Sequence, residues 1–159
     1  MSNRLRTAAF AVAASIPLAL LSPGAAGATG GYNPPPPPPS YGNEGCTPGY
    51  WKNHTSAWDF YTTSTTLGSV FTNTGTLSSR TFQQALSFGG GSTLQGAKQI
   101  LLRAAVAALL NSVDDVVDYS LSGQQVINRV NQALASNNRS TILNLANNLD
   151  TRNNAGCPL

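Results

Sequence analysis

The chain has 159 residues, of which 41% are hydrophobic and only 9% are charged. Its 9 lysines and arginines against 6 acidic residues give a net charge of +3 without a basic stripe, so nucleic acid is not an expected partner. A chain of this length holds one hydrophobic core and is too short for two comfortable ones.

The first 28 residues have the pattern of a secretory signal peptide. Arg4 and Arg6 form a basic start, residues 8–21 are mostly apolar, and Ala-Gly-Ala at residues 26–28 is a small-x-small cleavage site. No later stretch is long enough to span a bilayer. We therefore expect a secreted, extracellular mature chain that begins at Thr29 and has no membrane span.

Residues 29–45 form a proline-rich linker, with six consecutive prolines from Pro34 to Pro39. Such a run adopts polyproline II structure and extends about 3.1 Å per residue. It is either a stiff spacer or a docking motif for an aromatic groove, and its setting in an exported chain favours the spacer. A single α-helical domain then covers residues 46–159.

Cys46 and Cys157 are the only cysteines and stand at the two ends of that domain. In an exported chain, two cysteines favour one disulfide. Metal-binding thiols are the alternative, but a single histidine and the lack of a C-x-x-C spacing disfavour a zinc site. We expect the disulfide to bring residues 47–58 beside residues 149–156, and we expect no metal and no cofactor.

The domain opens on the aromatic motif CTPGYWKNH, in which Thr47-Pro48 is a typical helix start. Together with the segments LLRAAVAALLN and VNQALAS and the closing LDTRNNAGCPL, this motif resembles that of a family of small secreted bacterial proteins and modules of unestablished function. The resemblance covers about residues 45–159. It implies an extracellular bacterial module and does not imply a reaction.

Residues 61–76 are rich in serine and threonine, which disfavours a long helix. We expect an irregular surface segment there, held by Leu67, Val70 and Phe71. Helical spacing returns from Ser78 to Phe88, and Gly89 follows as a plausible C-cap.

The stretch from Ile100 to Leu110 is apolar at every position except Arg103. Ser92 and Gln95 have the spacing of a capping box, and Asn111 is a plausible end of the helix. A helix that is apolar nearly all round needs partners on several sides. The other helices should therefore pack around this one.

The segment VDDVVDY at residues 113–119 contains a D-D-x-x-D pattern that binds magnesium in terpene synthases. Those enzymes are much larger and need a second motif that ends in glutamate, whereas the only glutamate here is Glu44. An exposed acidic connector is the favoured interpretation.

Two amphipathic helices complete the chain. The first opens on a Ser122-x-x-Gln125 capping box, and the second covers about residues 140–150. The predicted fold class is all-α: a small bundle of about four main helices plus a short aromatic N-terminal helical turn, closed by one disulfide.

Catalysis is not expected, although a hydrolase is kept as a remote alternative. His54 is the only histidine, no G-x-S-x-G motif is present, and both cysteines are expected in the disulfide. The few aspartates are hard to pair for glycoside cleavage. No catalytic residue is assigned.

Two function classes remain: a structural or adhesive module at the bacterial cell surface or matrix, and a module that binds envelope polysaccharide. Surface proteins are the alternative partners. In the second class, Tyr50, Trp51, Trp58 and Tyr61 would offer flat rings to sugars. The candidate binding patch or structural clasp comprises Tyr50, Trp51, Lys52, Asn53, His54, Trp58, Asp150, Asn153 and Asn154.

Within that patch, two contacts are expected. Lys52 or His54 should pair with Asp150, and Trp51 should pack beneath them against Leu149. A partly exposed ion pair of this kind is worth at most about 1 kcal/mol, so the disulfide and the indole should dominate the stability of the patch.

The export prediction has a direct test. The secreted protein should begin at Thr29 or within a few residues of it, because the small residues at 26–28 suit signal peptidase. N-terminal sequencing of culture supernatant measures this. An intact N-terminal methionine on secreted protein would contradict the prediction.

Overall fold

The computed structural model describes residues 42–159, and the expected signal peptide and proline run lie outside them. Within this part of the chain, three short α-helices come first and three long ones follow, and single 3-10 turns at Thr55–Ala57 and Gly75–Leu77 lie between the short ones. The α-helices are α1 (Pro48–Asn53), α2 (Leu67–Val70), α3 (Phe82–Ala85), α4 (Leu94–Val113), α5 (Gly123–Ala135) and α6 (Arg139–Asn153). The predicted all-α class is confirmed.

Helix α4 is the centre of the domain and contacts α1, α3, α5 and α6. Every residue from Ala104 to Asn111 is buried, which is two full turns without a solvent-facing side. Burial all round is what the apolar stretch predicts. The hydrophobic core therefore surrounds α4.

Helices α5 and α6 cover α4 with their apolar faces. The predicted capping box is present, since the Ser122 hydroxyl accepts from the Gln125 amide and the Gln125 side chain accepts from the Ser122 amide. Helix α6 starts at a side-chain cap from Asn138. Both helices bury residues at helical spacing, namely Val126, Val130, Ala133 and Leu134 on α5 and Ile142, Ala146 and Leu149 on α6.

The ends of α4 differ from the prediction. Its N-cap is Thr93, one residue beyond the expected Ser92, and the Thr93 hydroxyl accepts from the Gly96 amide at 3.0 Å. At the other end the helix continues through Asn111 to Val113. Asn111 does not end the helix because its side chain finds hydrogen-bond partners inside the core.

The helix predicted from Ser78 to Phe88 is reduced to the single turn of α3. The carbonyls of Ser78 and Arg80 accept hydrogen bonds from the amides of Gly68 and Leu67, each at 2.8 Å. The start of the predicted helix is therefore bonded to the start of α2. The serine- and threonine-rich segment is irregular, as expected, apart from the single turn of α2 and the 3-10 turn that begins at Gly75. Of its three predicted anchors, Leu67 and Phe71 are buried and Val70 is partly buried.

None of the helices between residues 42 and 159 is long and apolar enough to cross a membrane. Helix α4 is the longest of them at 20 residues, and its apolar surface is covered by the rest of the domain.

The central position of α4 predicts which substitutions unfold the domain. Leu101→Asp or Ala105→Asp places an unpaired charge at a fully buried position, which costs several kcal/mol. Circular dichroism and thermal melting measure the loss. The control Gln132→Asp, at an exposed position of α5, should cost less than about 1 kcal/mol. Near-native melting of either core variant would contradict the packing around α4.

Candidate functional site: a clasp between the chain ends

The two ends of the domain are joined covalently and by the backbone. Cys46 and Cys157 form the predicted disulfide, with Cα atoms 4.5 Å apart. Next to it, the Gly45 amide donates to the Gly156 carbonyl at 2.8 Å. A Cβ on Gly45 would lie 2.2 Å from the Arg152 carbonyl oxygen, so only glycine fits at this crossing.

Beneath the disulfide, the amide of Asn111 connects α4 to both ends of the domain. Its Oδ1 accepts from the Cys46 backbone amide at 2.8 Å and from the Trp51 indole at 2.9 Å. Its Nδ2 donates to the Cys46 carbonyl at 2.9 Å and to Asn153 Oδ1 at 3.1 Å. The residue is fully buried, so these four bonds replace water.

Asn153 extends the network from the end of α6. Its Nδ2 donates to the Ala104 carbonyl at 2.9 Å, and its Oδ1 also accepts from the Tyr119 hydroxyl at 2.8 Å. Between residues 42 and 159, every buried side-chain nitrogen and oxygen has a hydrogen-bond partner. We call this group the clasp: Cys46, Trp51, Asn111, Tyr119, Asn153 and Cys157.

Trp51 belongs to the clasp and is 1% exposed. Its carbonyl accepts from the Trp58 indole at 3.0 Å, and the ring of Tyr50 meets its ring edge-on. Tyr61 packs against the core residue Phe82. The four rings predicted as a sugar platform therefore do not form one exposed surface.

The predicted ion pair to Asp150 is wrong. His54 Nδ1 lies 2.9 Å from the Tyr50 carbonyl oxygen, and the imidazole stacks on the Tyr50 ring. The histidine is thus a brace on its own helix and does not reach α6. Lys52 and Asp150 do line one groove of about 390 Å³, but no hydrogen bond or salt bridge joins them in the described part of the chain.

Asn53 and Asn154 complete the predicted patch, and both are exposed. The side chain of Asn154 donates to the Asp150 carbonyl at 2.7 Å, so it closes the last turn of α6. The structure therefore divides the predicted residues into two sets. Trp51 and Asn153 are buried in the clasp, and the remaining seven lie partly or fully exposed around it.

Sequence reasoning missed three residues near this site. The spacing predicts that Asn111 ends the helix, although a polar residue after a long apolar run is also the pattern of a buried amide. Tyr119 belongs to the predicted acidic connector, and no local pattern there predicts its hydrogen bond to Asn153. Arg103, the one polar residue of the apolar stretch, is half-buried and donates to the Phe88 carbonyl at 3.1 Å.

Two carboxylates of the acidic connector accept hydrogen bonds from backbone amides. The Asp114 carboxylate accepts from the amides of Val116 and Val117. Asp118 accepts from Gly42, and its own amide donates to Glu44 at 2.8 Å. Within residues 42–159, no three histidine, cysteine or acidic side chains are grouped so that they could hold a metal ion.

Fold and clasp define a small all-α domain closed by a disulfide and by a buried asparagine network. The chain belongs to the Protodermal factor 1 C-terminal domain family, whose model matches residues 46–154, more than two-thirds of its length. The match begins at Cys46 and includes Trp51, Asn111 and Asn153. Because the family is named after a plant protein, it does not support the bacterial origin that the motif resemblance implies.

Comparison with curated proteins and with solved structures found no significant match for the chain. The family assignment therefore depends on the family model alone, and it supplies no ligand, partner or reaction.

The clasp predicts that loss of the Asn111 amide lowers the free energy of unfolding strongly. Asn111→Leu leaves the amide and carbonyl of Cys46 and the indole of Trp51 without partners, each at about 1–3 kcal/mol. The free energy of unfolding should therefore fall by at least about 3 kcal/mol, as measured by urea denaturation of the oxidised protein. The control Asp150→Asn changes an exposed side chain and should cost less than about 0.5 kcal/mol. Equal losses for the two variants would show that the network is not stabilising.

Tyr119 makes the clasp sensitive to high pH. Burial raises the pKa of Tyr119 above its ordinary value, and the nearby Arg152 charge opposes this in part. The folded protein therefore keeps the proton longer than the unfolded chain does. The contribution of protonated Tyr119 to the free energy of unfolding should be fully present below about pH 10 and should fall as the pH rises further.

Denaturation between pH 8 and pH 11, with wild type and Tyr119→Phe compared, measures this effect. Burial also raises the pKa of Tyr61, so the variant should reduce the decline without removing it. A decline that is unchanged in Tyr119→Phe would contradict the assignment.

Proposed function

We propose that the chain is a secreted, non-catalytic structural or adhesive module that acts at the cell surface or in the extracellular matrix. The observation that carries this proposal is the burial of residues from the aromatic motif and from the closing segment. Cys46, Trp51 and Asn153 are buried in the clasp, where they stabilise the fold. Bacterial origin stays a prediction from the motif.

The disulfide supports an extracellular or otherwise oxidising location, since such bonds persist outside reducing compartments. Its position also suits a structural role. A pull on the chain that enters at Cys46 passes through the disulfide to Cys157. The helices between the two cysteines lie outside this covalent path, so they need not unfold when the two chain ends are under tension.

The non-catalytic part of the proposal is supported by the state of the reactive groups. His54 is the only histidine, and its Nδ1 faces the Tyr50 carbonyl. Both cysteines are oxidised. The carboxylates of Glu44, Asp114 and Asp118 accept hydrogen bonds from backbone amides. The other three carboxylates of residues 42–159, those of Asp59, Asp115 and Asp150, are exposed.

Polysaccharide binding remains the second candidate, but the Tyr50, Trp51 and Trp58 region is a poor place for it. A ring that is 1% exposed cannot stack on a sugar, and Trp58 is half-buried against the Trp51 carbonyl. The exposed aromatic nearby is Phe60, which is 73% exposed and packs edge-on against Tyr61.

Retention on insoluble cell-wall and matrix fractions tests the proposal. The mature oxidised domain should sediment with these fractions, and the unfolded variant Leu101→Asp should not, because the folded surface is needed. Fractions stripped of protein and fractions stripped of polysaccharide identify the kind of partner. Failure to sediment with any fraction, or turnover of a fraction by the domain, would contradict a structural or adhesive role.

A further inference from the structure

A second groove, of about 540 Å³, lies apart from the clasp and belongs to no residue set considered above. It is formed by the turn that ends at Leu77, by α3 with the residues after it, and by α4. Its lining includes Leu77, Arg80, Gln83, Ser87, Phe88 and Gln99. A concave surface of this size has room for one or two sugar rings.

Four of the five polar side chains that line this groove are not used by the fold. Among residues 42–159, the side chains of Arg80, Gln83, Ser87 and Gln99 form no hydrogen bond to another residue. Gln84, which also lines the groove, differs because its Oε1 accepts from the Thr81 amide in the cap of α3. One guanidinium, two amides and one hydroxyl are therefore available to a ligand.

The charge in the groove is of one sign. Arg80 is its only ionisable lining residue, and no carboxylate lines it. The groove beside the clasp is different, since Asp150 opposes Lys52 and Arg103 there. Residues 42–159 contain seven basic and six acidic side chains, so their net charge is only +1. Any selectivity for an anion must come from this local arrangement.

The groove also has apolar walls. Leu77 is buried, and the ring of Phe88 is half-buried, packed against the core on one side and lining the groove. An aromatic face beside amides and a hydroxyl suits a ligand with C–H faces and many hydroxyl groups, which is the chemistry of a sugar chain. Arginine adds paired N–H donors that match a carboxylate.

We propose that this groove binds a uronic-acid polysaccharide, a hydroxylated chain that carries carboxylates. A carboxylate would pair with Arg80, hydroxyl groups would bond to Gln83 and Gln99, and one ring would lie against Phe88. The inference rests on the proposed adhesive function, to which it adds the class of ligand. Both plant walls and bacterial matrices contain such polymers, and the groove chemistry is common to them.

Titration calorimetry with the oxidised mature domain tests the proposal. The probes are oligogalacturonate, of the plant-wall type, and oligomannuronate, of the bacterial-matrix type, with a carboxyl-reduced oligogalacturonate as the neutral control. At least one acidic probe should bind, and the neutral control should bind at least tenfold more weakly, because the charged contact is lost. The tighter acidic probe identifies the source of the polymer.

Matched variants locate the site. Arg80→Gln should weaken binding about tenfold or more, whereas Arg129→Gln removes the same charge from an exposed position of α5 and should leave binding unchanged. Gln99→Glu adds a carboxylate to the groove and should weaken binding of the acidic probe through repulsion. Melting temperatures near that of wild type confirm that the variants are folded.

Two results would overturn the proposal: absence of binding by both acidic probes, or equal losses in Arg80→Gln and Arg129→Gln. Retention on wall fractions with no binding of uronate would refute the groove and leave the adhesive function standing. Absence of both wall retention and uronate binding would refute the adhesive function and the groove together.

Discussion

The structure depends on one buried amide. A primary amide has two donors and one acceptor oxygen with two lone pairs, and Asn111 uses all of them on Cys46, Trp51 and Asn153. Because Asn111 lies on α4, these bonds attach the central helix to the start and the end of the domain at one point. A leucine of similar size would fill the space but would leave the groups that bond to Asn111 without hydrogen-bond partners. The position is therefore specified by hydrogen bonding as much as by packing.

The disulfide and the amide network constrain the same ends by different physics. In the chain-entropy model, closing a loop of about 100 residues contributes about 4.7 kcal/mol by restricting the unfolded chain. The network acts instead on the folded state, where it satisfies buried polar groups. Reduction alone would leave the network intact, and loss of Asn111 alone would leave the covalent loop. The clasp thus has two supports of different physical origin.

The clasp also separates the stabilising residues from those available for binding. Trp51 and Asn153, which the aromatic motif and the closing segment supply, are buried and satisfied. Lys52 and Asp150 remain at the surface beside the clasp, in a groove of mixed charge. The groove at Arg80, by contrast, carries one sign of charge and unused amides. The aromatic motif and the proposed binding groove therefore share no residue.

Much of this architecture is determined by local sequence. The apolar stretch around Ile100–Leu110 requires a buried helix, and the capping box at Ser122 starts the next one. The two cysteines, which follow a predicted signal peptide, predict their own pairing. The tertiary structure decided the rest, because partners distant in sequence compete with local preference. Long-range backbone bonds to Ser78 and Arg80 shortened a predicted helix, and His54 took the carbonyl of its own helix instead of Asp150. Asn111 extended α4 because Cys46, Trp51 and Asn153 converge on it, and only the folded chain brings those three together.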